Sequence, residues 1–161
     1  MAEKDLAASL LERRTHAMAR ALLRTREDLV VADVAVEDTG IDLLVSICKN
    51  KGRAIEQYGV ILEGTIEKAS TSAEASQLLN TRMANNQGFE PITLPICVFF
   101  FSMVGDRGYY AWLYEPTSTD GAAKLRRHPA LECKRLDERA LNSIVDPVHR
   151  YFSALSKSLV G

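Results

Sequence analysis

Between Leu94 and Val104 the chain carries a nearly unbroken apolar run, Leu-Pro-Ile-Cys-Val-Phe-Phe-Phe-Ser-Met-Val. A strand buried on both faces reads this way, whereas a half-exposed strand alternates apolar and polar positions. Shorter apolar and β-branched runs around it predict further strands at Leu29–Ala35, Ile41–Cys48, Tyr58–Ile66 and Tyr109–Tyr114. Turn residues separate them. Glu37-Asp38-Thr39-Gly40, Asn50-Lys51-Gly52 and Gly105-Asp106-Arg107-Gly108 supply Asp, Asn and Gly where the chain must reverse. Ile41–Cys48 and Tyr58–Ile66 therefore read as an antiparallel hairpin. Glu115-Pro116 is expected to end the fifth strand, a polar stretch runs from Thr117 to Pro129, and Leu131–Leu136 reads as a short edge strand.

Three stretches carry helical periodicity instead. Glu3–Arg26 is rich in Ala, Leu, Arg and Glu, has no Gly or Pro, and sets Leu6, Leu10, Ala17 and Ala21 on one face. Ser72–Asn85 begins beside two capping candidates, Thr71 and Ser72, and is stopped by Asn85-Asn86-Gln87-Gly88. Asp137–Leu159 spaces Leu141, Ile144, Val145, Val148, Phe152 and Leu155 helically, and Pro147 is expected to kink it or to start a new helix capped by Asp146. This order predicts one α/β domain, residues 1–161, with a mixed central sheet of about five strands between N- and C-terminal helices.

Composition constrains function more than fold. The formal net charge is −1, from 20 Lys+Arg against 21 Asp+Glu, whereas a dedicated nucleic-acid binder carries a basic excess. Contact with DNA or RNA would need a local patch, for which Arg13, Arg20, Arg24, Arg126 and Arg127 are the candidates. Acidic residues interleave with the first three, which favours a solvated face. The longest apolar run is about 11 residues, short of the roughly 20 that span a bilayer, and no basic-then-apolar signal pattern opens the chain. Cys48, Cys97 and Cys133 are scattered without a CxxC pair, which suits reduced thiols in a cytoplasmic protein. His16, His128 and His149 are isolated from one another and from the cysteines, so no metal-ligand spacing arises. Phosphate-binding glycine loops, HExxH and GxSxG are all absent. Alternation along Tyr109–Tyr114 puts Tyr110, Trp112 and Tyr114 on one face, as sheet core or as a base-stacking platform.

One local arrangement carries recognisable chemistry. Gly40-Ile41-Asp42-Leu43 stands on one arm of the hairpin and Ile61-Leu62-Glu63-Gly64-Thr65 on the next. A two-stranded phosphodiesterase site needs an aspartate near the start of one strand and an acid-x-lysine on its neighbour, because residues i and i+2 share a face. The carboxylates hold a divalent cation through oxygen, and the lysine offsets charge that builds on the phosphate.

These two motifs, with Leu94-Pro95-Ile96-Cys97-Val98-Phe99 and Tyr110-Ala111-Trp112-Leu113-Tyr114-Glu115-Pro116 in the same order, resemble the domain of unknown function 4365 family. That family is a branch of the PD-(D/E)xK nuclease-like superfamily, and the resemblance covers nearly the whole chain. It implies a restriction-endonuclease-like core and makes Asp42 the metal-binding aspartate. It also exposes two departures: Ile61 stands where the family places Gln or Glu, and Glu63 where it places Lys. Isoleucine cannot ligate a metal and glutamate brings no positive charge. The expectation is a catalytically inactive module without a cofactor, acting through a protein partner or as a homo-oligomer in a bacterial, phage or mobile-element, defence-related context. Two alternatives stand beside it. One is a metal-dependent DNA nuclease with a relocated magnesium site built from Asp38, Asp42 and Glu63; the other is a non-catalytic nucleic-acid binder. In the inactive reading Glu63 pairs with an arginine such as Arg53 or Arg82.

Overall fold

Residues 2–34, 40–48, 56–84 and 93–160 are described by a computed structural model. The turns at Glu37–Thr39 and Asn50–Gly52, the stop signal at Asn85–Gly88, and the candidate residues Asp38 and Arg53 lie outside them. Among the described residues three α-helices, α1 (Ala2–Leu23), α2 (Ser72–Met83) and α3 (Ala140–Val160), accompany seven strands. The strands are β1 (Leu29–Asp33), β2 (Leu43–Ile47), β3 (Glu56–Thr65), β4 (Ile96–Ser102), β5 (Arg107–Thr117), β6 (Lys124–Arg127) and β7 (Lys134–Arg135).

All seven form one mixed sheet in the order β1-β2-β3-β4-β5-β6, with β7 also on β5. β1, β2 and β3 run as an antiparallel meander, with Leu43 opposite Val60 in the predicted hairpin. β3 and β4 are parallel, the connection between them passing through α2. Thr71 caps α2 by accepting the Glu74 N–H.

The unbroken apolar run of β4 has a direct cause: every one of its residues is buried, because both faces of the sheet are covered. Cys97, Phe99 and Phe101 enter a core with Leu43, Val45, Val60, Ala19 and Leu23, closed by Leu141, Ile144 and Val148 of α3. Val98 and Phe100 enter a second core with Ile61, Ala75, Leu79, Tyr109 and Leu113. The sheet is thus sandwiched between α1 and α3 on one face and α2 on the other.

Four expectations need correction. β5 runs through Pro116 to Thr117 because β6 pairs with its end, Leu125 opposite Pro116, which extends the expected mixed core to seven strands among the described residues. Lys-Leu-Arg-Arg shows no apolar alternation, since an edge strand is protected by charge rather than recruited by burial. β7 is only Lys134–Arg135, while Leu131, Cys133 and Leu136 plug into the cores. α3 continues past Pro147, so no second helix starts there, and it is Asp137, not Asp146, that accepts an N–H at the start of α3, from Ala140 at 2.9 Å. A register shift between Ile96 and Cys97 breaks the alternation on β5. Trp112 and Tyr110 pack with the α3 core and Tyr114 with the α2 core, so they form no common platform.

The face that α1 buries also differs from the apolar face of its sequence. Ala19 and Leu23 are fully buried and Thr15 nearly so, whereas Leu6, Leu10, Ala17 and Ala21 are exposed.

Candidate functional site: the cleft at Asp42

Asp42 is held from both sides just before β2 begins. Its N–H donates to the Val60 carbonyl at 2.9 Å, and its carbonyl accepts the Val34 N–H at 3.1 Å. Its carboxylate replaces the next rung of the ladder: Oδ2 accepts the Leu62 N–H at 2.7 Å. Beyond that point β2 and β3 have no paired residues, and the end of β3 faces α1 and α2 instead.

Gly64 makes this approach of α1 possible. A Cβ there would collide with Thr15 Oγ1 and press on Leu11, while Thr15 itself donates to the Leu11 carbonyl at 2.8 Å. Thr15 is 3% exposed, so it has little room to give way.

Ile61 and Glu63 have distinct surroundings. Ile61 is 4% exposed and packs into the core under α2, among Leu79 and Val98. Glu63 turns to Arg82 of α2, with Oε2 3.9 Å from Nη1. Arg82 also donates to Thr65 Oγ1 at 3.2 Å. The partner expected of Glu63 is therefore present, and it is Arg82.

Asp42 and Glu63 line an open cleft of about 240 Å³ together with Glu12 and His16 of α1 and Arg82. Burial pushes the Asp42 carboxyl above its ordinary range; the Leu62 N–H and His16 oppose the shift, and Glu12 adds to it. Burial also raises Glu63, opposed by Arg82 and reinforced by the negative charge of Asp42. Two carboxylates thus share one partly dry cleft, and Asp42 adds to the shift of Glu63.

Sequence reasoning missed Glu12 and His16. Their spacing of four places both on one helix turn face, but neither points to the hairpin until α1 is known to lie across β3. The candidate arginines do not converge. Arg13 and Arg20 lie on α1 and Arg24 just past its end, and Arg20 is paired with Asp33. Arg126 and Arg127 lie on β6 at the far edge of the sheet, with Arg127 5.8 Å from the centre of the Tyr114 ring.

A divalent cation needs several oxygen ligands converging within bonding distance. Among the described residues no group of three or more His, Cys, Asp and Glu side chains is gathered closely enough for that. Asp42, Ile61 and Glu63 fit a cation poorly: the isoleucine is buried, Glu63 is drawn to Arg82, and Asp42 already spends an oxygen on Leu62. Among the described residues, no helix is long and apolar enough to cross a membrane.

Compared with known proteins, the chain matches no family profile, no curated protein and no solved structure.

Proposed function

We propose that this protein is a nuclease-like module that has lost cleavage chemistry and works by binding a protein partner in the cytoplasm. The reading rests on the sequence resemblance to the PD-(D/E)xK superfamily, and one observation carries the loss of activity. At the lysine position stands a glutamate whose nearest cation, Arg82, comes from a different element and is shared with Thr65. A lysine there would aim a mobile ammonium at a phosphate; Arg82 is instead held back by the carboxylate beside it. Ile61 removes the second acidic group by joining the core. The balanced charge and the separation of the two arginine groups favour a protein partner over nucleic acid. By the resemblance, the setting is a bacterium, a phage or a mobile element, with a defence-related role.

The test is direct. Incubated with Mg²⁺ or Mn²⁺ and with single-stranded, duplex and supercoiled DNA, the purified protein is expected to leave each intact. Filter binding at low salt is expected to be weak and flat. Metal-dependent cleavage that disappears in Asp42→Ala would overturn the proposal.

A further inference from the structure

The outer face of α1 carries an apolar patch that the fold leaves uncovered. From Glu3 to Leu10 every side chain is exposed, and Leu6 and Leu10 are 61% and 55% exposed. They lie on the side of the helix turned away from the sheet, since Leu11, Thr15, Ala19 and Leu23 occupy the packed side. Glu3, Leu6, Leu10, Arg13 and Ala17 follow one another at alternating spacings of three and four, the pattern of a coiled-coil seam. All five are exposed. Among the described residues neither Glu3 nor Arg13 has an ionic partner, although Arg14 and Arg20 on the same helix each have one.

We propose that a second copy of this chain covers this face, the two α1 helices packing antiparallel about a two-fold axis that passes Ala8. The interface would then be isologous, and such an interface must be complementary to itself. This one is. Leu6 of each copy meets Leu10 of the other, so four leucines close a small apolar centre. Glu3 of each copy falls opposite Arg13 of the other, which places two opposite-charge pairs at the two ends. Ala7 and Ser9 flank the seam on either side and are small enough for the helices to approach closely. The direction matters: a parallel pair would set Glu3 against Glu3 and Arg13 against Arg13. Because the patch faces away from the sheet, the two domains lie on opposite sides of the helix pair. The proposal names the partner for the interaction module described above and rests on that reading.

Analytical ultracentrifugation across micromolar to near-millimolar concentrations provides the test, with circular dichroism to check folding. The interface is small, so the wild type is expected to shift reversibly from monomer to dimer in that range. Leu10→Glu is expected to stay monomeric with an unchanged melting temperature, because Leu10 is already exposed in the single chain. Glu3→Arg and Arg13→Glu are each expected to weaken the dimer about tenfold by setting like charges against each other. The double variant Glu3→Arg/Arg13→Glu is expected to recover wild-type association, since the pairs are re-formed with their signs exchanged. A wild type that stays monomeric throughout assigns the face to a different protein and overturns the proposal. So does a dimer that survives Leu10→Glu, or a double variant no better than the singles. Cleavage of DNA by the same samples would sink the loss of activity without touching the dimer, and a monomer that does not cleave would sink the dimer alone.

Discussion

Asp42 is a carboxylate kept at a cost. Its raised pKa, caused chiefly by burial, means the folded chain holds a proton that the unfolded chain has released between the ordinary carboxylate range and the raised value. The same holds for Glu63. Stability from these groups is therefore present at low pH and lost as pH rises through their folded pKa values. Asp42→Asn keeps an oxygen for the Leu62 N–H and removes the charge. It is expected to raise the melting temperature near neutral pH and to remove the part of its pH dependence that lies just above the ordinary carboxylate range. Asp42→Ala leaves the Leu62 N–H without its acceptor and is expected to fall below Asp42→Asn by about 1–2 kcal/mol in a denaturant titration. Equal stabilities would show that the carboxylate is not capping β3. Gly64→Ala is expected to cost about 1–3 kcal/mol, because the new methyl meets the buried Thr15 hydroxyl and pushes α1 off β3. The motif around Asp42 was legible in the sequence because it is local, two strands joined by one turn. Arg82 was one of two arginines named for Glu63, but Glu12 and His16 were not legible, because only tertiary packing brings α1 to the end of β3.

Among the elements, those with strong patterns were readable and those shaped by their neighbours were not. The β4 run announced burial on both faces, and α3 announced its core face through Leu141, Ile144, Val145 and Val148. β6 escaped notice because an edge strand pairs through its backbone while its side chains stay charged. α1 was misleading in a more useful way. Its apolar residues at Leu6 and Leu10 look like a core face, yet the sheet takes the side with Thr15, Ala19 and Leu23, where small side chains let the helix sit close to Gly64. Pro147 gives a further test at this scale. It lacks the N–H that would bond the Ser143 carbonyl inside a continuous helix, and that region of α3 covers the core. Pro147→Ala is expected to stabilise the fold by about 1 kcal/mol or more, read from the denaturation midpoint. A loss of stability would mean that the helix needs its proline to follow the curve of the sheet.

For the whole molecule, the mixed α/β architecture with helices at both ends followed from the order of patterned segments, and its strand count was underestimated only at the charged edge. Function turns on three positions: an aspartate that accepts the Leu62 N–H, an isoleucine in the core and a glutamate facing an arginine. The proposal is that this arrangement supports no cleavage chemistry. The measurement that bears on it most directly is a DNA cleavage assay with Mg²⁺ and Mn²⁺ across DNA forms, run beside Asp42→Ala. The account predicts intact DNA with both proteins; cleavage by the wild type that Asp42→Ala abolishes would contradict it.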